Sequence, residues 1–400
     1  MQTLFTTPTK DAATPARTEG STDKEESMLD RKTIPTRLAQ TVEVPRTLAD
    51  IDRITDFKLF ERPFDGKPPA GYAQHAMCWY GEPKLAFLRD TEIAEWLSGL
   101  YAEIERSHPT RPDFRLIYDG RMFRGHRSMG ATGQVIDLRR IPEETPSLED
   151  LNYRPMWVPL FMQESLNRGG LILIASVTGQ GKSTTAGAIV KSRCIKFGGH
   201  WRTVEDPIEL PLEGVRGDGL IVQNEVLYPG PGIEERECGF AGGLRAALRA
   251  FPATRPAGIL VGEIRDSETA AELVRAAVNG MLVITTIHAH DTASALSRLV
   301  AMAKQQMGDI APEMVASAIR LVVYQNLKIN PLETGWRRGN YSGTVLSSDG
   351  DSHPVANVIK DERFPALADE IQRQAARLQN MALQRRFTDA EIAKELGTLR

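Results

Sequence analysis

The most informative part of the chain reads Leu171-Ile-Leu-Ile-Ala-Ser-Val-Thr-Gly-Gln-Gly-Lys-Ser-Thr-Thr185. Its apolar first half has the length of a strand, its middle is rich in glycine, and a helical stretch follows. In a strand, glycine loop and helix of this kind, backbone amides cradle phosphates at the positive N-terminus of the helix. Lys182 then reaches the β and γ phosphates, and Ser183 holds Mg²⁺. The pattern predicts a nucleotide-binding loop made of Thr178, Gly179, Gln180, Gly181, Lys182, Ser183 and Thr184.

Ser176 is the position at which this loop departs from the usual pattern, which opens with a glycine. A serine fits by size, but a strained backbone angle there would disfavour it. The alternative interpretation is an ordinary glycine-rich turn with a solvated lysine. The flanking strand and helix, and the motifs further along the chain, favour the nucleotide-binding loop. By itself the loop indicates nucleotide binding and nothing more specific.

Two acidic segments follow predicted strands further along the chain. They read Glu205-Asp-Pro-Ile-Glu209 and Glu263-Ile-Arg-Asp266. Parallel strands point their carboxyl ends at the ligand crevice, so acids at these ends can hold Mg²⁺ waters or activate an attacking water. Glu263 is the candidate general base. The alternative is a surface acid that pairs with Arg265.

A histidine ends a third predicted strand. The segment reads Leu282-Val-Ile-Thr-Thr-Ile-His288, and His290 follows two residues later. At the end of a strand beside the loop, His288 is a candidate sensor of the γ-phosphate. His290 is interpreted as a solvated loop histidine.

The composition of the whole chain narrows the class of protein. Four hundred residues, 41% of them hydrophobic and 25% charged, predict a globular protein of two to three domains. The formal net charge of −3 argues against a simple nucleic-acid binder, and no apolar run is long enough to span a bilayer. The N-terminus lacks a signal-peptide pattern, so a cytoplasmic location is expected. The three cysteines are far apart and form no Cys-x-x-Cys pair, which favours reduced thiols over a zinc site.

Changes in composition divide the chain into a disordered tail, a small α+β domain, a linker, an α/β domain and a C-terminal extension with helices. In that order, the predicted parts are residues 1–46, 47–141, 142–150, 151–330 and 331–400. The small domain contains a predicted helix over 91–107, followed by short strands with glycine turns that are typical of an antiparallel meander. The α/β domain alternates strands with helices, which predicts a parallel sheet with crossover helices.

The four motifs together resemble the secretion ATPase superfamily of type II and type IV systems (PilT/DotB-like). The motifs are the glycine loop, the acidic box at 205–209, the Val-Gly-Glu-Ile-Arg-Asp segment that contains Glu263, and the Thr-Ile-His box that ends at His288. The resemblance covers roughly residues 110–330, and the segment from Met314 to Gln325 is similar to the helix and glutamine-containing end of the family's motor domain. Among its branches, the chain is most similar to the pilus-retraction and Dot/Icm-type ATPases, which include the TraJ ATPases of plasmid conjugation.

The resemblance implies a hexameric ring at the inner face of the cytoplasmic membrane. Each subunit would have an N-terminal PAS-like domain and a RecA-like P-loop NTPase domain with a parallel sheet, and would bind ATP and Mg²⁺ between them. The expected partners are inner-membrane components of a secretion or conjugation apparatus, which would also give a peripheral membrane association. No direct nucleic-acid binding is expected. ATP turnover would move one domain relative to the other.

The resemblance also implies the roles of individual residues. Two arginines of the small domain reach the nucleotide phosphates in this family, and the matching residues are Arg124 and Arg139, with Arg127 and Arg140 as second choices. The implied catalytic set is Glu263, Lys182, His288, Arg124 and Arg139. The implied metal ligands are Ser183, Glu205 and Asp206.

One departure from the family and two other functions stand beside this interpretation. Relatives commonly have Asp-Pro-Asp before the strand of Glu263, where this chain reads Phe251-Pro-Ala-Thr-Arg-Pro-Ala-Gly258. The first alternative function is a nucleic-acid translocase or helicase on the same fold, which would need a basic groove with aromatic residues. The second is a non-hydrolysing, nucleotide-gated assembly scaffold.

Overall fold

A computed structural model of the protein describes residues 45–64, 70–80, 85–252, 256–329, 339–349, 353–384 and 388–396. These residues belong to one unit. The tail predicted for residues 1–46 lies outside the described residues, apart from its last two positions. The division of the remaining chain at 142–150 and at 330 stays a prediction.

Within the described residues, the first sheet has six antiparallel strands. They are β1 (Ile54–Phe60), β2 (Met77–Tyr80), β3 (Leu85–Phe87), β4 (Asp113–Tyr118), β5 (Arg121–Gly130) and β6 (Gly133–Ile141). Their spatial order is β3-β2-β1-β6-β5-β4. Helix α1 (Glu92–Ser107) shares a core with this sheet, because its apolar residues recur on one stripe. The buried stripe is Ile93, Leu97, Leu100 and Ile104. The predicted helix and the predicted antiparallel meander, formed by β4, β5 and β6, are confirmed.

The part of the chain that the structure describes contributes eight strands to the second sheet. They are β7 (Gly170–Ser176), β8 (Gly199–Glu205), β9 (Gly214–Arg216), β10 (Gly219–Glu225), β11 (Ala257–Val261), β12 (Leu282–His288), β13 (Ile319–Ile329) and β14 (Gly339–Ser347). Their spatial order is β14-β13-β7-β12-β11-β8-β10-β9. All neighbours between β13 and β10 run parallel, and β14 and β9 are antiparallel edge strands. The predicted parallel sheet is confirmed.

β7 lies inside the second sheet and is buried along its whole length. Alternate side chains enter two different cores: Leu171 and Leu173 face one, and Ile172 and Ile174 face the other. A strand that is buried on both faces needs a continuous apolar sequence, which is why this segment shows no polar alternation. The buried strand fixes the position of the glycine loop that follows it.

Helices cover both faces of the second sheet. They are α2 (Trp157–Phe161), α3 (Lys182–Phe197), α4 (Gly239–Arg249), α5 (Ser267–Val278), α6 (Thr292–Met307), α7 (Ala311–Ala318), α8 (Pro354–Lys360), α9 (Leu367–Leu383) and α10 (Asp389–Leu396). The helix expected after the glycine loop is observed as α3, and helices expected in the C-terminal extension are observed as α9 and α10. The sequence did not predict individually the strands β1, β2, β3, β9, β10 and β14 or the helices α2, α4, α6 and α8.

The segment predicted as a linker packs along α3. Leu148 is fully buried, and its N–H donates to Ser192 Oγ at 2.9 Å. Lys191 Nζ donates to the carbonyl of Thr145. These contacts fix the path of the chain between the two sheets.

The helices offer no membrane-crossing segment. Within the described ranges, none combines the length and the apolar character that a bilayer span requires.

Candidate nucleotide-binding site

A cleft of about 410 Å³ opens at the carboxyl ends of the parallel strands. Ser176 at the end of β7 is the register partner of His288 at the end of β12, and Glu263 follows β11 on the other side of β12. The residues of the predicted loop, the acids of the acidic box, the first-choice arginines, Glu263 and His288 all line this cleft. They are Arg124, Arg139, Thr178, Gly179, Gln180, Gly181, Lys182, Ser183, Thr184, Glu205, Asp206, Glu209, Glu263 and His288. The cleft thus brings side chains of both sheets together.

The glycine loop joins β7 to α3 and needs its glycines. Gly179 and Gly181 have φ values of +78° and +76°, which other residues adopt only with strain. A Cβ on Gly181 would also lie 3.0 Å from the hydroxyl of Tyr341. Ser176 is not among the described residues with positive φ. The serine therefore occupies the first position of the loop without backbone strain.

Lys182 points back over the start of the loop. Its Nζ donates to the carbonyls of Ser176 and Val177, each at 3.2 Å. Burial lowers the pKa of Lys182, while the carboxylates of Glu263 and Glu209 act in the opposite direction. The ammonium group lies within the cleft with weak carbonyl partners, which phosphate oxygens can replace.

His288 lies between the loop lysine and the candidate base. Its Nδ1 is 3.3 Å from Lys182 Nζ, and its Nε2 is 3.7 Å from Glu263 Oε2. Because an ammonium group only donates, Nδ1 accepts, and the neutral ring carries its proton on Nε2. Burial and the charge of Lys182 lower the pKa of His288, which favours this neutral form.

Glu263 also pairs with Arg265, the contact that the alternative interpretation of this acid predicts. Arg265 Nε donates to Glu263 Oε1 at 2.8 Å. The pair lies at the cleft, since both residues line it. Arg265 therefore orients the carboxylate of Glu263 in the cleft and leaves Oε2 on the side of His288.

The acidic box is held by side chains that no sequence pattern had indicated. Glu205 is buried and accepts a hydrogen bond from Gln223 Nε2 at 2.8 Å. Burial raises the pKa of Glu205. Asp206 accepts from the hydroxyl of Tyr228 at 2.5 Å. Gln223 lies on β10 and Tyr228 follows it, and no local signal had predicted that strand.

The donor chemistry of the cleft fits the Mg²⁺ ion that the family resemblance implies. Ser183 is exposed on the first turn of α3, and Asp206 lines the same cleft. No cluster of three His, Cys, Asp or Glu residues suited to a metal occurs in the described ranges. Mg²⁺ usually takes one or two protein oxygens and completes its shell with phosphates and waters. Ser183 and Asp206 suit that role, whereas Glu205 is buried and its raised pKa disfavours the charged form.

Arg124 and Arg139 are direct cross-strand partners on β5 and β6. Successive side chains of a strand point to opposite faces, so these two share one face of the first sheet. The Arg124 guanidinium forms an ion pair with Glu209, and Arg139 Nε donates to Asp56 Oδ1 at 2.8 Å. Both arginines reach the cleft from the first sheet.

The second-choice arginines lie on the opposite face of the same strands. Arg127 pairs with Glu105 on α1, at 2.9 Å. Arg140 pairs with Asp52, at 3.4 Å. Neither lines the cleft.

The departure from the family before Glu263 falls partly outside the described residues. The segment spans 251–258, and residues 253–255 are not described. His290 was interpreted from the sequence as a solvated loop residue, and it is exposed.

Comparison with known proteins points to one family. Residues 124–335 match the family described as Type II/IV secretion system protein. The chain is 35% identical over 223 residues to the uncharacterized protein YggR of Escherichia coli (strain K12), which covers 54% of this chain and 61% of that protein. It is 36% identical over 193 residues to the type IV pilus assembly ATPase PilB of Thermus thermophilus, which covers 48% of this chain and 19% of PilB. The chain thus spans less than two thirds of the length of either relative.

The fold is similar to that of the pilus retraction motor PilT with bound ADP. The TM-score is 0.58 at 23% identity, over 81% of this chain and 87% of that one. At this identity the likeness supports the fold alone. The family match covers more than half of the chain and includes every residue predicted for the cleft. The chain therefore belongs to the type II/IV secretion system protein family, the secretion ATPase superfamily that its motifs resemble.

Proposed function

We propose that this chain is the ATP-hydrolysing motor subunit of a type IV, conjugation-like (IVB) secretion or pilus apparatus. One observation carries the proposed hydrolysis of ATP: Lys182, the neutral ring of His288 and the carboxylate of Glu263 converge in the cleft beside the glycine loop. Arg124 faces them from the other sheet. Positive groups for the phosphates and an acid for the attacking water are what phosphoryl transfer requires.

Each residue of the cleft has its own task in hydrolysis. The loop amides and Lys182 neutralise the phosphate charge, which develops further in the transition state. Glu263 orients the attacking water and accepts its proton as the water oxygen bonds the γ-phosphorus in line. The bond from the γ-phosphorus to the bridging oxygen breaks at the same time, and ADP leaves with that oxygen and its electron pair. His288 touches both Lys182 and Glu263, so it relays changes at the γ-phosphate to the acid. Mg²⁺, when bound, adds positive charge at the phosphates.

Arg124 couples the nucleotide to the first sheet. Its guanidinium pairs with Glu209, which belongs to the loop after β8 of the second sheet. Nucleotide phosphates carry more negative charge than one carboxylate and compete for the same guanidinium. An exchange of partner alters one contact that holds the two sheets together. This is the proposed route from ATP turnover to domain motion.

The proposed assembly is a homo-hexamer at the inner face of the cytoplasmic membrane, bound to inner-membrane components of the apparatus. Family membership and the name of one similar protein, a type IV pilus assembly ATPase, support the link to such an apparatus. The hexamer and its place at the membrane rest on the resemblance of the motifs to the secretion ATPases. The choice of a conjugation-like branch rests on the resemblance of the motifs to Dot/Icm-type and TraJ ATPases. The net charge of −3 supports a motor that does not itself bind nucleic acid.

Phosphate release from ATP tests the proposed activity against the two alternative functions. The chain is assayed with Mg²⁺, with a chelator in place of Mg²⁺, and with single-stranded or double-stranded DNA added. We expect turnover that depends on Mg²⁺ and changes less than about twofold with DNA. Strong stimulation by DNA would favour the translocase. ATP binding without turnover in every condition would favour the scaffold.

Removal of the Arg124 guanidinium is expected to slow hydrolysis. Arg124→Ala should lower kcat/KM for ATP at least about tenfold, because the developing phosphoryl charge loses a cationic partner. Arg140→Ala is the matched control, since that arginine lies on the opposite face and does not line the cleft. Steady-state kinetics of both variants check this. Equal losses in the two variants would contradict the role of Arg124.

Neutralisation of Glu209 is expected to tighten nucleotide binding. Glu209→Gln removes the charge that holds Arg124 and that repels phosphates. Charged hydrogen bonds exceed neutral ones by roughly 1 kcal/mol, so the Kd for ADP should fall about fivefold. Isothermal titration calorimetry measures it. An unchanged or weaker affinity would show that Glu209 does not compete with the nucleotide.

A further inference from the structure

Gln325 is a fully buried polar residue at the side of the glycine loop. It lies on β13, which runs parallel to β7, and its neighbour Tyr324 is the register partner of Ala175. Gln325 therefore stands level with the end of β7, where the loop begins. The proposed function gives it no task.

Both ends of the Gln325 amide are used by the loop and the helix that follows it. Nε2 donates to the carbonyl of Gln180 at 2.6 Å, and Oε1 accepts from Thr185 Oγ1 at 2.9 Å. Thr185 in turn accepts from the hydroxyl of Tyr153 at 2.8 Å. A primary amide is the side-chain group that donates and accepts from one planar end, so it links a carbonyl and a hydroxyl at once.

The contact with Gln180 sets the direction of one peptide unit. The peptide between Gln180 and Gly181 is trans, so its C=O and N–H point in opposite directions. Because the carbonyl points to Gln325, the N–H of Gly181 points away from β13. Gly181 lines the cleft, and loop amides of this kind are the groups that hold phosphates.

The side chain of Gln180 is also held by a hydrogen bond. The N–H of Leu327 on β13 donates to Gln180 Oε1 at 2.6 Å. Gln180 is thus held by β13 through its backbone and through its side chain. Gly179 and Gly181, which both have positive φ values, flank Gln180. Because glycines restrict the backbone little, the two hydrogen bonds to β13 supply the restraint on this peptide.

We propose that Gln325 is a positioning residue that holds the Gln180–Gly181 peptide ready for the phosphates and so increases nucleotide affinity. This inference rests on the proposed nucleotide-binding function. Gln325 does not line the cleft, and it acts through the loop.

Gln374 provides a matched control within the same chain. It is also fully buried, and its amide bonds the N–H and the carbonyl of Ser347 at 2.7 and 3.0 Å. Ser347 pairs with Leu321, at the opposite end of β13 from the loop. Gln374 Nε2 also donates to Glu370 Oε1 at 3.0 Å. Replacement by leucine therefore removes the hydrogen bonds of two partners at Gln325 and of three at Gln374, but only Gln325 contacts the loop.

The experiment compares Gln325→Leu, Gln325→Glu and Gln374→Leu with the unsubstituted chain. The Kd for ADP is measured by calorimetry, and the Tm is measured by thermal unfolding. Hydrogen exchange at the amides of residues 177–184 is measured without nucleotide. We expect both Gln325 variants to bind ADP at least about tenfold more weakly and to exchange the loop amides faster. Gln374→Leu should lower the Tm, keep the Kd within about twofold and leave loop exchange unchanged.

Gln325→Glu serves where the leucine variant fails to fold. A carboxylate has the same shape and still accepts from Thr185, but it cannot donate to the Gln180 carbonyl. If the Gln325 variants match Gln374→Leu in both Kd and loop exchange, the positioning role is wrong and Gln325 is a structural residue. If the unsubstituted chain binds no ADP, the proposed function fails, and loop exchange alone decides whether Gln325 positions the peptide.

Discussion

Glu263→Gln is expected to bind ATP within about threefold of the unsubstituted chain and to hydrolyse it at least about a hundredfold more slowly. Glutamine keeps the shape of the side chain and can still contact Arg265, whose Nε now bonds Oε1. It cannot accept a proton from the attacking water. The loss therefore falls on turnover and spares binding, which separates a catalytic acid from an acid that holds the structure.

Glu268→Gln is the control for this substitution. Glu268 lies on α5, is exposed, and pairs with Arg245 outside the cleft. Calorimetry gives the ATP affinity, and phosphate release gives the turnover. Undiminished turnover in Glu263→Gln would remove Glu263 from the reaction and would leave its pairing with Arg265 as its only role.

Lys182→Ala is expected to weaken ATP binding at least about a hundredfold. Loss of one partner of a buried charge pair costs roughly 2 to 5 kcal/mol, and every 1.4 kcal/mol is tenfold in affinity. Lys182 is only 8% exposed and places its ammonium group in the cleft, over the carbonyls at the start of the loop. Turnover should fall with binding.

Lys196→Ala is the matched control, since Lys196 lies on the same helix at its exposed far end. Direct titration with ATP in the presence of Mg²⁺ measures both variants. Equal affinities would mean that the phosphates bind elsewhere than over the glycine loop.

The sequence predicted the parts of the site that depend on local pattern. The apolar run before Ser176 and the glycines after it determine a strand and a loop almost by themselves. Parallel strands bring their carboxyl ends together, so Glu263 and His288 were expected at one edge. The structure places both there, in contact with each other. Strand alternation then explains why Arg124 reaches the cleft while Arg127 does not.

The parts that could not be predicted depend on pairings between distant segments. The sequences of β10 and β14 show neither a long apolar run nor a clear alternation of apolar and polar residues. Each of these strands is positioned by pairing with the strand beside it. As a result, the partners of the acidic box were missed. Gln325 was noted within a family-like segment, but its contact with Gln180 depends on the parallel pairing of β13 with β7, across 145 residues of chain. No local spacing carries that information.

The most direct test of the motor is steady-state ATP turnover over a series of protein concentrations, with the unsubstituted chain and Glu263→Gln side by side. A ring that hydrolyses ATP should show activity per subunit that rises with concentration and reaches a plateau, while the variant stays at background throughout. If both proteins bind ATP and are equally inert, or if they turn over ATP equally well, the chain is not the motor proposed here.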